Sequence, residues 1–192
     1  HTDNPREAII YVEVDRHTDK DVLSDLAESL SEILDEIRLV VDDFSLIKGK
    51  CEEAVGWIKE SKGPFNKKDL SESTAFMEWL ANDHFTFLGC EDIAIEKKGD
   101  KTLAIRDKSS VSGLFKKEVH GPDKVVVDDL SESMKALILA PQLIALTKSG
   151  RRSRIHRPAY PDYITIKKVN EQGQVIGGRR FLGMFTSNVY SE

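Results

Sequence analysis

One part of this sequence gathers cationic side chains on an otherwise acidic chain, whose net charge is −5. This cluster lies between positions 148 and 180 and comprises Lys148 and seven further basic residues. We take the seven as candidate interface or anion contacts. They are Arg151, Arg152, Arg154, His156, Arg157, Arg179 and Arg180. Guanidinium groups bind anions and acidic protein surfaces through charge-assisted hydrogen bonds. A solvated loop beside a strand is an equally good interpretation, because surface charge runs commonly contribute little.

Other chemistry for this cluster is less well supported. Nucleic-acid binding is disfavoured, since the cluster has no interleaved aromatic residues and no recognisable reading helix. The net charge also provides no general attraction to nucleic acid or to an anionic membrane. His156 lies between two basic residues, and the sequence offers it no carboxylate partner for a proton relay. A structural histidine is therefore expected at this position.

No catalytic, cofactor-binding or metal-binding residue is predicted. The sequence contains no G-x-G-x-x-G turn, no P-loop, no nucleophile elbow and no HExxH motif, which are the patterns that hold dinucleotides, phosphates, nucleophiles and zinc. Cys51 and Cys90 occur singly, so neither a zinc site nor a disulfide framework is indicated. Both are expected to be small buried hydrophobic side chains.

The sequence predicts a cytoplasmic protein. The longest purely apolar run covers residues 136–140, far short of the ~20 residues that span a bilayer. No secretory leader, in which a charged segment precedes an apolar one, is predicted at the start of the chain. The first residue is His1 and not Met, as in a cloned fragment.

The first third of the chain predicts one strand and a long helical segment. Residues 8–15 alternate and are rich in β-branched side chains, which is typical of a strand. A lone strand needs a partner, either inside this chain or outside it. From Thr18, a plausible N-cap, apolar residues recur at spacings of three and four. This seam comprises Leu23, Leu26, Leu30, Ile33, Ile37, Val40, Phe44, Ile47, Cys51, Ala54 and Ile58. Packing against a globular core is favoured over a self-associating stalk, because Leu34, Val41 and Val55 widen the stripe.

The remaining residues predict an α+β domain. After the boundary at Lys62-Gly63-Pro64, capping boxes indicate helices from Asp69 and from Asp129. Strands are predicted at residues 85–96, 102–106, 143–148, 163–169 and 174–187, with a loop at 109–127. The fold class expected is a five-stranded antiparallel PAS-like sheet with flanking helices, preceded by an orphan strand and a long helical segment.

Two stretches resemble a known family. Phe85-Thr86-Phe87-Leu88-Gly89 is the first, and Ile155-His156-Arg157 through Asp162-Tyr163-Ile164 to Gly177–Ser187 is the second. The order of these stretches and their residue identities resemble the N-terminal, non-catalytic part of the large NAD-specific glutamate dehydrogenases of bacteria. The resemblance implies that residues 1–16 hold the last strand of a truncated ACT-like domain. Residues 17–62 would then be a helical connector and residues 63–192 a PAS-like domain.

The resemblance also implies a function. This chain would be a regulatory or scaffolding segment of an oligomeric enzyme of amino-acid catabolism, which converts L-glutamate, NAD and water to 2-oxoglutarate, ammonium and NADH. No cofactor is expected in the fragment, and NAD is expected in the parent enzyme. The partners expected are other domains and subunits of that enzyme and a small-molecule effector, with no nucleic acid and no membrane. The alternative is an independent PAS-like small-molecule sensor or protein-interaction module.

Overall fold

A computed structural model of the chain describes residues 9–117 and 122–186. These residues form three α-helices, three short turns of other helical types and one sheet of six strands. The helices are α1 Lys20–Lys59, α2 Lys67–Trp79 and α3 Glu132–Leu139. The strands are β1 Phe85–Lys98, β2 Lys101–Gly113, β3 Lys124–Val126, β4 Ile144–Lys148, β5 Asp162–Val169 and β6 Val175–Phe185. The α+β class is therefore confirmed.

All five strand pairings of the described sheet are antiparallel, in the order β3-β2-β1-β6-β5-β4. The central pair joins β1 to β6, from Phe85 opposite Phe185 to Ala94 opposite Gly177. The hairpins β1–β2 and β5–β6 thus belong to one sheet, as predicted. The predicted last residue of β6, Ser187, lies outside the described residues.

Within the described residues the sheet has six strands and not the five predicted. Strand β2 continues from the predicted segment at 102–106 to Gly113, and β3 lies within the predicted loop at 109–127. The polar residues that suggested a loop are accommodated inside the sheet. Buried Ser110 and Ser112 donate their hydroxyls to the carbonyls of Asp107 and Cys90, and a satisfied hydroxyl can be buried at little cost. Residues 118–121 of that predicted loop lie outside the described residues.

The two shorter helices start at other residues than the capping boxes indicated. The side chain of Asn66 caps α2 by accepting a hydrogen bond from the Asp69 amide at 2.8 Å. Ser131 caps α3 by accepting from the Met134 amide, while Asp129 ends a short 3₁₀ turn. Each helix begins before or after the predicted acid, so Asn66 and Ser131, and not Asp69 and Asp129, have the extended backbone of a cap with a side chain that reaches the amide three residues on.

Helix α1 is a single helix of 40 residues, and neither Gly49 nor Gly56 interrupts it. The chain divides into a unit of residues 1–32 and a unit of residues 33–192. In the second unit α1 buries a stripe at spacings of three and four, comprising Val40, Asp43, Ile47, Cys51, Ala54 and Ile58. Packing on the core is thus confirmed for this part. Ile37 and Phe44 of the predicted seam are exposed, and Asp43 takes the buried place instead.

Asp43 is buried because it serves the far end of β2. Its Oδ2 accepts a hydrogen bond from the Gly113 amide at 2.6 Å, and its Oδ1 accepts one from Lys116 Nζ at 2.9 Å. Burial alone would raise the pKa of this carboxyl, but the bonds from Lys116 and Gly113 lower its pKa below the ordinary value. Asp43 therefore fixes α1 against the turn that follows β2.

Residues 9–19 have no regular secondary structure, and Ile9, Ile10 and Tyr11 are exposed. The strand predicted at residues 8–15 is not formed, since no described strand pairs with it; its first residue, Ala8, lies outside the described range. Thr18 is also not the cap of α1, which begins at Lys20 after Asp19 Oδ1 accepts from the Asp21 amide.

Two hydrophobic clusters form the core of the part of the chain that the structure describes. In the larger one, α1 and α2 cover one face of β1, β5 and β6, with Phe87, Ile164 and Phe181 at the centre. The smaller one lies on the opposite face near one end of the sheet, where Leu88, Phe115 and Leu182 pack together. The rest of that opposite face is where α3 approaches the sheet.

Candidate functional site

The structure divides the basic cluster instead of bringing it together. Arg151, Arg152, Arg154, His156 and Arg157 lie in the connection between β4 and β5. Arg179 and Arg180 are consecutive residues of β6, and consecutive side chains of a strand point to opposite faces of the sheet. The sequence pattern therefore groups residues that serve three different surroundings.

Arg179 faces α1 and is almost fully buried. Its guanidinium donates to both carboxylate oxygens of Asp92 at 2.7 and 2.9 Å, to Glu53 at 2.8 Å and to the Lys50 carbonyl at 2.9 Å. It also stacks over the ring of Trp57, 4.2 Å from the ring centre. Burial alone would lower the pKa of Arg179, but its hydrogen bonds to Asp92 and Glu53 raise its pKa above the ordinary value. Arg179 therefore joins the sheet to α1.

Arg180 faces the other side of the sheet, where it meets Glu91. The Glu91 side chain is fully buried, and its Oε1 accepts a hydrogen bond from Arg180 Nε at 2.7 Å. Its Oε2 forms an ion pair with Arg106 Nε at 2.7 Å. The Arg180 guanidinium also lies 5.0 Å from the ring centre of Tyr163 and 5.3 Å from that of Phe115. One buried carboxylate is thus held between two arginines from neighbouring strands.

Most cations in the β4–β5 connection, and Lys148 at the end of β4, have partners within the chain. Arg154 pairs with Glu36 at 2.6 Å, and Lys148 with Asp162 at 2.7 Å. Arg152 donates to the Pro158 carbonyl at 2.6 Å, and Arg157 donates to the Phe185 carbonyl at 2.8 Å. Acidic partners from outside the chain are therefore not needed for Arg154, Arg179 or Arg180.

Arg151 and His156 differ from their neighbours. Both are exposed, and within the described residues their side chains form no hydrogen bond or ion pair. His156 adopts a left-handed backbone conformation, with φ 64°, which is uncommon for residues other than glycine. Of the seven predicted site residues, these two present side chains that remain available to a partner.

A pocket that the sequence analysis did not identify lies between α3 and the sheet. Its volume is about 310 Å³. Apolar side chains of β1, β2 and α3 form most of its wall, chiefly Ile93, Ile95, Ala104, Met134, Leu137 and Ile138. The side chains of Glu91, Arg106, Lys167 and Arg180 also line it. An apolar cavity with a few convergent charged groups is the usual character of a small-molecule site.

Lys167 is the most unusual of these charged groups. It is only 5 % exposed, and its Nζ donates to the carbonyls of Leu137 at 2.6 Å and Ala140 at 2.8 Å, at the C-terminal end of α3. Burial lowers the pKa of the Lys167 ammonium to about 8. Two features of the sequence could have indicated the pocket: a lysine at an inward position of a strand, and adjacent glycines inside β6.

The two thiols are not part of any reactive site. Cys51 and Cys90 are free and fully buried. Burial raises the pKa of each thiol to about 12, and a neutral thiol is a poor nucleophile and metal ligand.

Within residues 9–117 and 122–186, no group of three or more His, Cys, Asp and Glu side chains could hold a metal ion. None of the helices in these ranges has the length and hydrophobicity that crossing a membrane requires.

Comparison with known proteins relates the chain to one family. It is 36% identical over 192 residues to the NAD-specific glutamate dehydrogenase of Pseudomonas aeruginosa, a match that covers 99% of this chain and 12% of that enzyme. It is also 36% identical over 194 residues to the NAD-specific glutamate dehydrogenase of Halomonas elongata, covering 100% of this chain and 12% of that enzyme. No family model matches the chain.

The resemblance drawn from the two stretches around Phe85–Gly89 and Gly177–Ser187 is thus confirmed. The chain is related along its whole length to NAD-specific glutamate dehydrogenases, and it spans 12% of the length of the two relatives.

Proposed function

We propose that the chain is a regulatory or scaffolding segment of a large NAD-dependent glutamate dehydrogenase and is itself non-catalytic. The parent enzyme would oxidise L-glutamate with NAD and water to 2-oxoglutarate, ammonium and NADH. The observation that carries the proposal is the relation, at 36% identity over the whole chain, to dehydrogenases of which the chain spans 12%. In this proposal NAD binds to another part of the parent and not to this segment.

The fold supports a role other than dinucleotide binding. A dinucleotide fold holds the pyrophosphate at a crevice between parallel strands, where a glycine-rich turn leads into a helix. All strand pairings in the described sheet are antiparallel. In addition, the buried ion pairs of Arg179 and Arg180 are satisfied within the chain, as expected for groups that stabilise a fold.

We also propose the finer division that the resemblance implies. Residues 63–192 would form a PAS-like domain, and the pairing of the two hairpins β1–β2 and β5–β6 in one antiparallel sheet supports this proposal. Strand β3, which was not predicted, lies at one edge of that sheet. Residues 17–62 would be the connector, in agreement with helix α1 Lys20–Lys59. Residues 1–16 would complete an ACT-like sheet elsewhere in the parent, and the exposed side chains of Ile9, Ile10 and Tyr11 are suited to such pairing.

The partners proposed are other domains and subunits of a cytoplasmic, oligomeric parent enzyme, together with a small-molecule effector. Arg151 and His156 are the residues best placed for a protein contact, because they are exposed and uncommitted among the described residues. An exposed arginine is a common anchor at such interfaces.

The test has two parts. The purified 192-residue chain should form no NADH from glutamate and NAD above a mock preparation. In the full-length enzyme, Arg179→Met should loosen this domain and thereby alter assembly or kcat, while the KM for NAD stays unchanged. Glutamate-dependent NADH formation by the chain, or a rise in the KM for NAD alone, would place the segment in the catalytic site and contradict the proposal.

The second candidate is an independent PAS-like sensor or protein-interaction module. The pocket under α3 is the observation that favours it, since a sensor must enclose a small molecule. The reading frame around this chain separates the two: a dinucleotide-binding domain in the same frame supports the dehydrogenase segment, and a histidine-kinase-like domain supports the sensor.

A further inference from the structure

The pocket beneath α3 lies over a row of the sheet that runs from β5 across β6 to β1. On the face covered by α3, Lys167 of β5 lies opposite Gly178 of β6, and Gly178 lies opposite Ile93 of β1. Paired residues project to the same face, so Lys167 and Ile93 both face the cavity of about 310 Å³. Gly178 lets the backbones of β5 and β6 approach closely, since a Cβ at this position would meet the Ile166 carbonyl oxygen at 2.7 Å.

Helix α3 covers this row of the sheet without packing closely on it. None of its residues is fully buried, although Leu137 and Ile138 face the sheet across the cavity. Ile93, Ile95 and Ala104 below them are also only half-buried. An apolar helix face and an apolar sheet face that do not touch lose the packing contacts that normally stabilise such a layer. A ligand with an apolar body would restore those contacts.

The charges around the cavity favour an anion. One carboxylate, Glu91, and three cations, Arg106, Lys167 and Arg180, line it. Glu91 is already held by both arginines, which leaves Lys167 as the group without an acidic partner in the part of the chain described. Two of its three N–H bonds go to the carbonyls of Leu137 and Ala140. Its third N–H can donate to a further acceptor, and a buried charge without a counter-ion is costly.

We propose that the pocket between α3 and the sheet binds a small monocarboxylate with an apolar body. The carboxylate lies against Lys167 Nζ, and the apolar chain lies between Ile93 and Ile95 on the sheet and Leu137 and Ile138 on the helix. The occupant neutralises the buried ammonium and fills the space between α3 and the sheet.

The volume limits the size of the ligand. A pocket of about 310 Å³ is at the lower end of the range of roughly 300–1,000 Å³ for small-molecule sites. At roughly 30 Å³ for each water-sized group, it holds about ten non-hydrogen atoms. Acids of about six to eight carbons fit this volume, whereas a nucleotide does not.

Hexanoate is the probe for the test, titrated into the 192-residue chain by calorimetry at pH 7. We expect saturable binding of one hexanoate per chain. Hexanamide has nearly the same shape without the charge, so it should bind at least tenfold more weakly. Lys167→Met should weaken hexanoate binding at least tenfold, because it removes the ammonium and keeps the length of the side chain. Lys168→Met is the matched control, since Lys168 is exposed on the opposite face over Trp57, and it should change the affinity by less than twofold.

A second variant places the ligand in the pocket independently of Lys167. Ile138→Trp adds bulk from the helix side of the cavity and should abolish hexanoate binding, while circular dichroism shows an unchanged fold. If Lys167→Met does not fold, the comparison of hexanoate with hexanamide and the Ile138→Trp variant decide the question. Absence of hexanoate binding, equal binding of hexanamide, or unchanged binding by Ile138→Trp would each overturn the proposal.

The role of the pocket as an effector site in a dehydrogenase rests on the proposed function, whereas binding of hexanoate to the chain does not. The site and its effector role can therefore fail separately. Hexanoate that binds the chain but leaves kcat and KM of the full-length enzyme unchanged would overturn the effector role and keep the site. A chain that fails to bind hexanoate would overturn the site, while the scaffolding role would be judged from the Arg179→Met enzyme.

Discussion

Arg179 and Asp92 lie directly opposite each other on the two central strands, and the guanidinium binds the carboxylate through both oxygens at 2.7 and 2.9 Å. The same guanidinium reaches Glu53 and the Lys50 carbonyl on α1. One side chain thus connects β1, β6 and the long helix, in a geometry that two planar groups favour strongly.

Loss of this arginine should be costly to folding. Arg179→Met is expected to lower the free energy of unfolding by about 2–4 kcal/mol, because Asp92 would remain partly buried without its counter-charge. Urea denaturation of the 192-residue chain measures the effect. Arg151→Met makes the same chemical change at an exposed position and should cost less than about 0.5 kcal/mol. Equal stabilities of the two variants would contradict the role assigned to Arg179.

The β4–β5 connection should contain two kinds of arginine. Arg154→Ala is expected to cost about 0.5–1 kcal/mol of unfolding free energy, since Arg154 forms a partly exposed ion pair with Glu36. Arg151→Ala should leave the melting temperature of the chain unchanged, because its guanidinium has no partner among the described residues. In the full-length enzyme the order should reverse, with Arg151→Ala and His156→Ala loosening assembly in sedimentation. Normal assembly of these enzymes would make the connection a solvated loop.

The ammonium of Lys167 should make stability depend on pH. Its pKa is lowered by burial from 10.5 to about 8, so between these values the unfolded chain holds a proton that the folded chain has lost. Stability contributed by this group therefore rises as the pH increases through that window. The difference in unfolding free energy between the wild type and Lys167→Met should therefore shift by about 1–3 kcal/mol in favour of the wild type when the pH is raised from 7.5 to 10.5.

The other charged groups that line the cavity around Lys167 are Glu91, Arg106 and Arg180. They are the same in both proteins, as are Cys51 and Cys90, so their titration cancels in the difference. Lys168→Met serves as the control and should follow the wild type across the range. A pH-independent difference between wild type and Lys167→Met would show that Lys167 titrates normally.

Neither cysteine should react in the folded chain. Burial raises the pKa of both thiols to about 12 and closes access to the sulfur atoms. At pH 8 an aromatic disulfide reagent should titrate fewer than about 0.1 thiols per native chain within minutes, and both thiols after denaturation. Rapid labelling of Cys51 without denaturation would mean that α1 leaves the sheet readily.

The extent to which the fold could be read from the sequence differs between elements. Periodicity identified α1 and the β1 and β6 strands, because spacings of two and of three to four residues follow from local geometry. Capping residues were less predictable. Asn66 and Asp69 are comparable candidates, as are Ser131 and Asp129, until the backbone conformation at each residue is known. The extension of β2 to Gly113 was hidden, because Ser110 and Ser112 are polar in sequence and become acceptable in the sheet only through partners on other residues.

The family relationship was determined by the sequence alone, since the order and residue identities of a few motifs indicate it without any structure. The tertiary structure decided how the charges are used. Arg179 and Arg180 are neighbours in sequence, yet the pleat of β6 sends one to α1 and Asp92 and the other to Glu91. Lys167 and Gly178 are distant in sequence, and the β5–β6 register places them together beneath α3. Such pairings depend on which strands meet and in what register, and local periodicity contains no information about either.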